Sequence, residues 1–438
     1  MGVQNSAAGF WSAAVARFCL IKHSYSVLSD WRQHGILASR CKYLLSLDLS
    51  RLWSALLALL LIAAEGALAQ QPTEVAFAGF AYSGSASTIS TRFPQSQRYE
   101  QELTATNTSI GQTLYRMLAA TPGGQVKIVS QIESLKGRDS ALAVALVIGA
   151  ETVSVEQFGN VHKLMVLIRG QTMFFDFKSM NVVRAYPISF AYVDLLDHVP
   201  SSDEIQARVK LVYLGAADKP GILSRFAQSV AKAQIPTQVP RFLQVTSVQL
   251  KPEALDTLPA YIKSEPGAAE TWAADMVSEA ISTRAGVPIV PFAKGYAIGN
   301  VMSMKVSDGT VYDLKLPQPD YEIKVELSGF RKVKYSEVQG GATAYVYGAY
   351  AQMHIEEPLS RKSFLNTSVK NGETRVIPAS QRYVDDFPHF YDAINGLFVK
   401  LAQNMDGKGD DKWLKSAASA KDIDEQISST RELIKQCK

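Results

Sequence analysis

"VSVEQFGNVHKLMVLIRGQTMFFDFKSMNVVRAYPISF", residues 153–190, is the stretch whose reading decides the fold. It is dense in β-branched and aromatic residues, and turn-forming pairs interrupt it near Gly159-Asn160, Gly170-Gln171 and Lys178 to Asn181. Side chains of this kind fit a pleated, half-buried surface, so the stretch predicts an antiparallel meander of strands.

Working outward, "EVAFAGFAYS" (74–83) reads as a strand that ends at Gly84, followed by a Ser/Thr-rich connection to about Asn107. From there Ile110, Leu114, Met117 and Leu118 repeat with helical spacing. Asn107 or Thr108 stands as the cap and Pro122-Gly123-Gly124 as the stop. "QVKIVSQI" (125–132) returns to strand, and 140–149 is apolar. After the meander, "SSDEIQARVKLVYLG" carries a Ser-x-x-Glu capping box at Ser201 and Glu204 and a terminal Gly215, the marks of a helix.

The second half repeats that order. "RFLQVTSVQL" (241–250) is a strand, 268–284 a helix with Trp272, Met276 and Val277 on its apolar side, and "VPIVPF" a short strand. Asp308-Gly309 sets a hairpin between "VMSMKVS" and "TVYDLKL", strands follow at 321–335 and 342–357, and a helix is expected from Asp385 to Gln403. Matching elements are spaced by about 35, 15 and 40 residues in the first half and about 32, 13 and 38 in the second, too long a period for a solenoid. The expected fold class is therefore α+β, with two tandem modules, each a mainly antiparallel sheet packed by helices. The modules are expected at 70–215 and 241–403, joined by a junction at 216–240. A polar linker around "DGKGDDK" and a C-terminal helix are expected over 404–438.

At the other end, Arg51 precedes an apolar run from Leu52 to Ala64, and Ala67-Leu68-Ala69 offers the small-x-small pattern of a signal-peptidase site. The run is about 13 residues, short of the roughly 20 that span a bilayer. Residues 51–69 are therefore expected to be a signal peptide cut after Ala69, and 1–50 an over-extended or unstructured leader. Localisation follows as periplasmic or secreted, with no stable transmembrane span after cleavage. The net charge of +4 then shrinks, because residues from Gln70 onward hold 39 basic and 38 acidic side chains. A nearly neutral chain gives no electrostatic support to a nucleic-acid partner. Cys19 and Cys41 precede Gln70, which leaves Cys437 as the single later cysteine. On a terminal tail it reads as an exposed thiol, idle or free to pair with another chain.

Candidate chemistry is sparse, and no cofactor is expected. In "DDFPHFYD", Asp385, His389 and Asp392 fall at i, i+4 and i+7, a spacing open to a metal-dependent hydrolase. The same residues suit an ordinary helix start, with acids and Pro388 in the first turn. Tyr345, Tyr347 and Tyr350 of "AYVYGAY" offer flat amphipathic rings to a partner or glycan, or pack within the module. "MHIEE" lacks the helix that a paired zinc site needs, "DGKGDD" lacks the ligands of a calcium loop, and Ser229 to Lys232 has no companion motif. A nucleophile elbow, a Walker loop and a dinucleotide fingerprint are all absent from the sequence.

The opening "VAFAGFAYSG", the helix from Asn107 to Thr121 and the meander ending "FFDFKSMNVVRAYPIS" together resemble the small α+β modules of bacterial envelope accessory proteins, namely the TolB N-terminal domain and the LpoB and CsgG families. The resemblance implies an exported, non-enzymatic accessory or scaffold protein that binds protein partners in the cell envelope. Lipid anchoring, as in the LpoB and CsgG families, is not expected, because no cysteine stands at the cleavage point. A small-ligand or glycan-binding periplasmic protein is the alternative of a different class.

Overall fold

The computed structural model describes residues 72–438 apart from 122–123, 131–140, 217, 236–239, 293–299 and 339–340. The chain divides into two units, 1–70 and 71–438. The expected signal peptide, Cys19 and Cys41 fall in the first, outside the described residues.

The fold is α+β. Its first sheet begins with β1 (Thr73–Ser83), to which β2 (Val126–Val129) adds in parallel. The 153–190 stretch then builds three long strands, β3 (Leu142–Phe158), β4 (Val161–Asp176) and β5 (Asn181–Leu196). Gly159, at φ 65°, makes the first turn, and the second ends at Met180 with φ 56°. The turn expected at Gly170-Gln171 does not exist, since both residues lie inside β4. Gly170 instead sits opposite a bulge in β3, where the pairing shifts between Ile148 and Ala150. A Cβ there would lie 2.8 Å from the Val147 carbonyl oxygen, so the glycine permits close backbone approach rather than reversal.

The Ser/Thr-rich connection is not a loop throughout. It holds α1 (Ile89–Arg92) and α2 (Pro94–Ala105), the latter opened by a proline in its first turn. The next helix, α3 (Ile110–Ala120), is capped by Ser109, whose hydroxyl accepts from the Gln112 N–H, rather than by Asn107 or Thr108. α4 (Ser202–Leu214) shows the anticipated capping box at Ser201 and Glu204. The short antiparallel pair β6 (Gly215–Ala216) and β7 (Lys219–Pro220) leads into the junction at 216–240, which contains α5 (Ile222–Lys232), whose Ile222, Leu223, Phe226 and Val230 are buried in the first core, so the helix belongs there rather than between modules. Helices α2 to α5 cover one face of the first sheet around Phe80, Leu114, Val166 and Tyr213.

The second sheet runs β13 (Lys362–Pro378), β12 (Ala342–Glu357), β11 (Tyr321–Glu337) and β8 (Leu243–Leu250). β8 is parallel to β11, and β11 to β13 form an antiparallel meander. The first sheet has the same plan, with β1 parallel to β3 and β3 to β5 antiparallel. One face of the second sheet is covered by α6 (Pro252–Thr257), α7 (Ala268–Ala285), α8 (Phe387–Met405) and α10 (Ile423–Cys437), in one core with Val325, Ala351, Ile355 and Leu365.

Two pieces of the second half change sheets or roles. The hairpin β9 (Val301–Val306) and β10 (Val311–Lys315), turned at Gly309 as expected, completes the first sheet. β9 pairs with the end of β1 from Ala81 to Ser83, beyond a bulge at Gly79, and β10 reaches β5 at Asn181, so the sheet closes on itself. Met302, Met304, Val306 and Leu314 seal its inner face against Ala81, Val147, Met173 and Phe175. "VPIVPF" contributes only an isolated bridge from Val290 to Gln244. α7 is buried on nearly all sides, against β8, α8 and β5, because Ala273, Ala274, Ser278 and Ala280 let all three come close.

The supposed linker after 404 is ordered as well. Asp406 is buried and paired with Lys408 and Lys438, α9 (Asp411–Ala417) follows, and α10 docks on β13 and α8. Cys437 is fully buried, not exposed. Burial pushes its thiol up to about 12, which disfavours both oxidation and pairing with another chain.

Candidate ligand-binding cleft

Strand alternation sends Lys163, Met165, Leu167, Arg169, Met173 and Phe175 to the β4 face opposite the helices. That face has three different covers along its length. Met173 and Phe175 lie under the β9–β10 hairpin. In the middle, α7 approaches, with Asp275 3.4 Å from Arg169 and Glu279 accepting from the backbone N–H (3.2 Å) and hydroxyl (2.5 Å) of Ser189. Burial raises the Glu279 carboxyl pKa, against the lowering effect of the Ser189 bonds.

Beyond Arg169 the face opens into a cleft of about 580 Å³. Met165, Leu167 and Val193 form one wall, and Tyr261, Trp272, Phe387 and Tyr391 the other. These rings are mutually packed, with centroids 6.2 Å apart for Tyr261 and Phe387, 6.3 Å for Trp272 and Phe387 and 6.5 Å for Trp272 and Tyr391. Burial pushes the Tyr391 hydroxyl pKa up to about 12, so at neutral pH it presents a neutral phenol. The exposed segment of Ser264, Glu265 and Pro266, which leads into α7, forms part of the rim.

Charged groups mark the ends of this space. Lys163 is buried between Glu156 and Asp385, 2.5 Å from an oxygen of each. Burial opposes its charge, but the hydrogen bonds and charges of both carboxylates prevail and hold its pKa above the ordinary value. At another side Glu151 accepts the Gln95 and Ser96 N–H groups at the start of α2, a carboxylate capping a helix N-terminus. Its burial still raises its pKa against those bonds. Arg92 donates to the carbonyls of Ser83 and Gly149.

The three residues at helical spacing do not converge. α8 starts at Phe387 with Asp386 as its cap, so Asp385 lies before the helix and out of register with the other two. Asp385 pairs with Lys163, and Asp392 with Arg375 at 2.7 Å. The His389 ring stands 4.8 Å from that of Tyr347, its pKa lowered by burial and by the Arg375 charge. Among the described residues no three His, Cys, Asp or Glu groups converge as a metal site. Of the tyrosines, Tyr345 and Tyr347 share a face and Tyr350 lies on the other, but Tyr347 is buried, its hydroxyl donating to Asp386 at 2.6 Å. The cleft residues escaped sequence reading because Lys163 and Asp385 are 222 positions apart. The available signal was a lysine among the alternating apolar positions of "VHKLMVL".

No family model matches the chain, and no curated protein matches it. Among solved structures it is similar to a Xanthomonas campestris protein of the family DUF330, at 10% identity over 39% of this chain and 83% of the other, with a TM-score of 0.20. It is also similar to a protein from Helicobacter pylori described as a neuraminyllactose-binding hemagglutinin homolog. That match has 8% identity over 42% and 95% of the two chains and a TM-score of 0.21. No helix among the described residues is long and apolar enough to cross a membrane.

Proposed function

We propose that this chain is an exported, non-enzymatic binding protein of the cell envelope, and that it holds its ligand in the cleft between the first sheet and helices α7 and α8. The cleft carries the reading. Its volume of about 580 Å³ lies in the range of small-molecule sites, and apolar walls with a few fixed polar groups are the usual make-up of such sites. The "LWSALLALLLIAAEGALAQQ" stretch and the resemblance to TolB, LpoB and CsgG modules support the envelope location. A thermal-shift screen of small molecules tests the binding function, with stabilisation expected to saturate with ligand and to weaken in Leu167→Ala. An N-terminus at Gln70 on protein recovered from the periplasm tests the export.

A second reading, an envelope scaffold, draws on the far end of the second sheet. There Val333, Tyr335, Val338 and Val376 are all more than half exposed, an unusual concentration for a free surface. Crosslinking from position 335 in intact cells tests it, and a crosslinked envelope protein is the expected product.

A further inference from the structure

Resting on the cleft as the binding site, we infer that its ligand is an uncharged molecule with a mainly apolar body of aryl or alkyl character, and that the cleft excludes ions of either sign. Glu151 has each oxygen engaged by a backbone N–H, Lys163 is held between two carboxylates, and Arg92 is committed to two carbonyls. Arg169 lies against Asp275. Glu265 is the remaining charged lining residue described, and it stands exposed on the rim, where water solvates it. An ion entering the apolar middle would lose its water and meet charged groups already engaged by carboxylates or by backbone groups, whereas an apolar body loses nothing.

The walls supply what such a body needs. Tyr261 meets Phe387 edge to face at 83°, and Trp272 and Tyr391 extend the same surface opposite Met165 and Leu167. Uncharged hydroxyls at Thr91 and Thr152 can meet a single hydroxyl or carbonyl on the ligand.

Two pairs of near-isosteric probes test this on the full chain. N-phenyl-1-naphthylamine is compared with 1-anilinonaphthalene-8-sulfonate, which adds an anion, and tert-butylbenzene with phenyltrimethylammonium, which replaces a carbon by a cationic nitrogen. The neutral naphthylamine is expected to bind with enhanced fluorescence and to be displaced by tert-butylbenzene. Each charged partner is expected to bind at least tenfold more weakly. Val193→Asp, an exposed position on the cleft wall, is expected to weaken the neutral probe at least fivefold, and Leu195→Asp, two residues further along the strand, to leave it unchanged. Equal binding of a charged and a neutral partner, with the effect of Val193→Asp preserved, overturns the inference and leaves the binding site standing. Failure of all four probes to bind, or neutral binding indifferent to Val193→Asp, overturns the site as well.

Discussion

The two sheets share one strand plan but treat their second faces in opposite ways. In the first, the face turned from the helices is sealed by a hairpin, approached by α7 and then left open as the cleft. In the second, the corresponding face carries Lys324, Gln352, His354, Glu356, Ser368 and Lys370 and is not covered by the helices. Topology alone therefore does not make a site. The apolar composition of one strand face does, because only an apolar face recruits a cover, and an incomplete cover leaves a cavity.

The sharpest break in that comparison is a charge placed on each second face. Met304→Asp buries an unpaired carboxylate under the hairpin and is expected to cost about 4 kcal/mol, whereas Thr374→Asp on the open face of β13 stays within about 0.5 kcal/mol, both read by urea denaturation.

Two lysines sharpen it next. Lys163 and Lys324 each bridge two carboxylates, but the Lys163 side chain is 7% exposed and that of Lys324 41%. Lys163→Met is expected to destabilise by about 2 kcal/mol, less than a fully buried pair because both its carboxylates keep some contact with water. Lys324→Met should cost about 0.5 kcal/mol or less. Because the folded state raises the Lys163 pKa, its contribution is complete below the unfolded value of about 10.4 and is lost as pH rises through the folded value. The stability gap between wild type and Lys163→Met should therefore narrow only in strong alkali.

A smaller effect is expected at Glu279, where α7 meets the first sheet near Ser189, Arg225 and Asp275. Its folded pKa is raised by burial, so the folded state binds the proton more tightly than the unfolded one. Stability from this group is present in acid and is lost as pH climbs from the unfolded value through the folded one. The melting temperature of wild type should gain on that of Glu279→Gln between pH 7 and pH 4.5; a constant difference would count against the assignment. The smallest change is chemical. Native Cys437 should resist thiol reagents at pH 8, so wild type and Cys437→Ala label alike until urea is added.

Some local signals complete within a few residues were legible. The capping box at Ser201, the turn at Asp308-Gly309 and the β11–β12 pair stand close to where their residues indicate. β13 was not anticipated, because its exposed face is mostly polar and its buried positions include Thr367 and Asn371, whose burial depends on α8, α9 and the connection between α9 and α10. The linker reading of "DGKGDDK" failed for a related reason. Asp406 is charged in the sequence, and its side chain is buried against Lys438, which arrives from the far end of α10, as well as against the local Lys408. The site was the least legible part, since its walls come from β4, β5 and α7 and from residues around Tyr261 and Phe387.

The sequence by itself determined the α+β class, the strand character of 153–190 and the apolar alternation along β4, because these follow from periodicity and composition within short windows. Only the tertiary structure decided that the β9–β10 hairpin crosses to the first sheet, that α7 is shared between the sheets, and that Lys163 meets Asp385 to close one end of the cleft. Those outcomes depend on which apolar faces meet when the chain collapses. Burial rewards the meeting irrespective of the sequence distance it spans, so no local pattern records it.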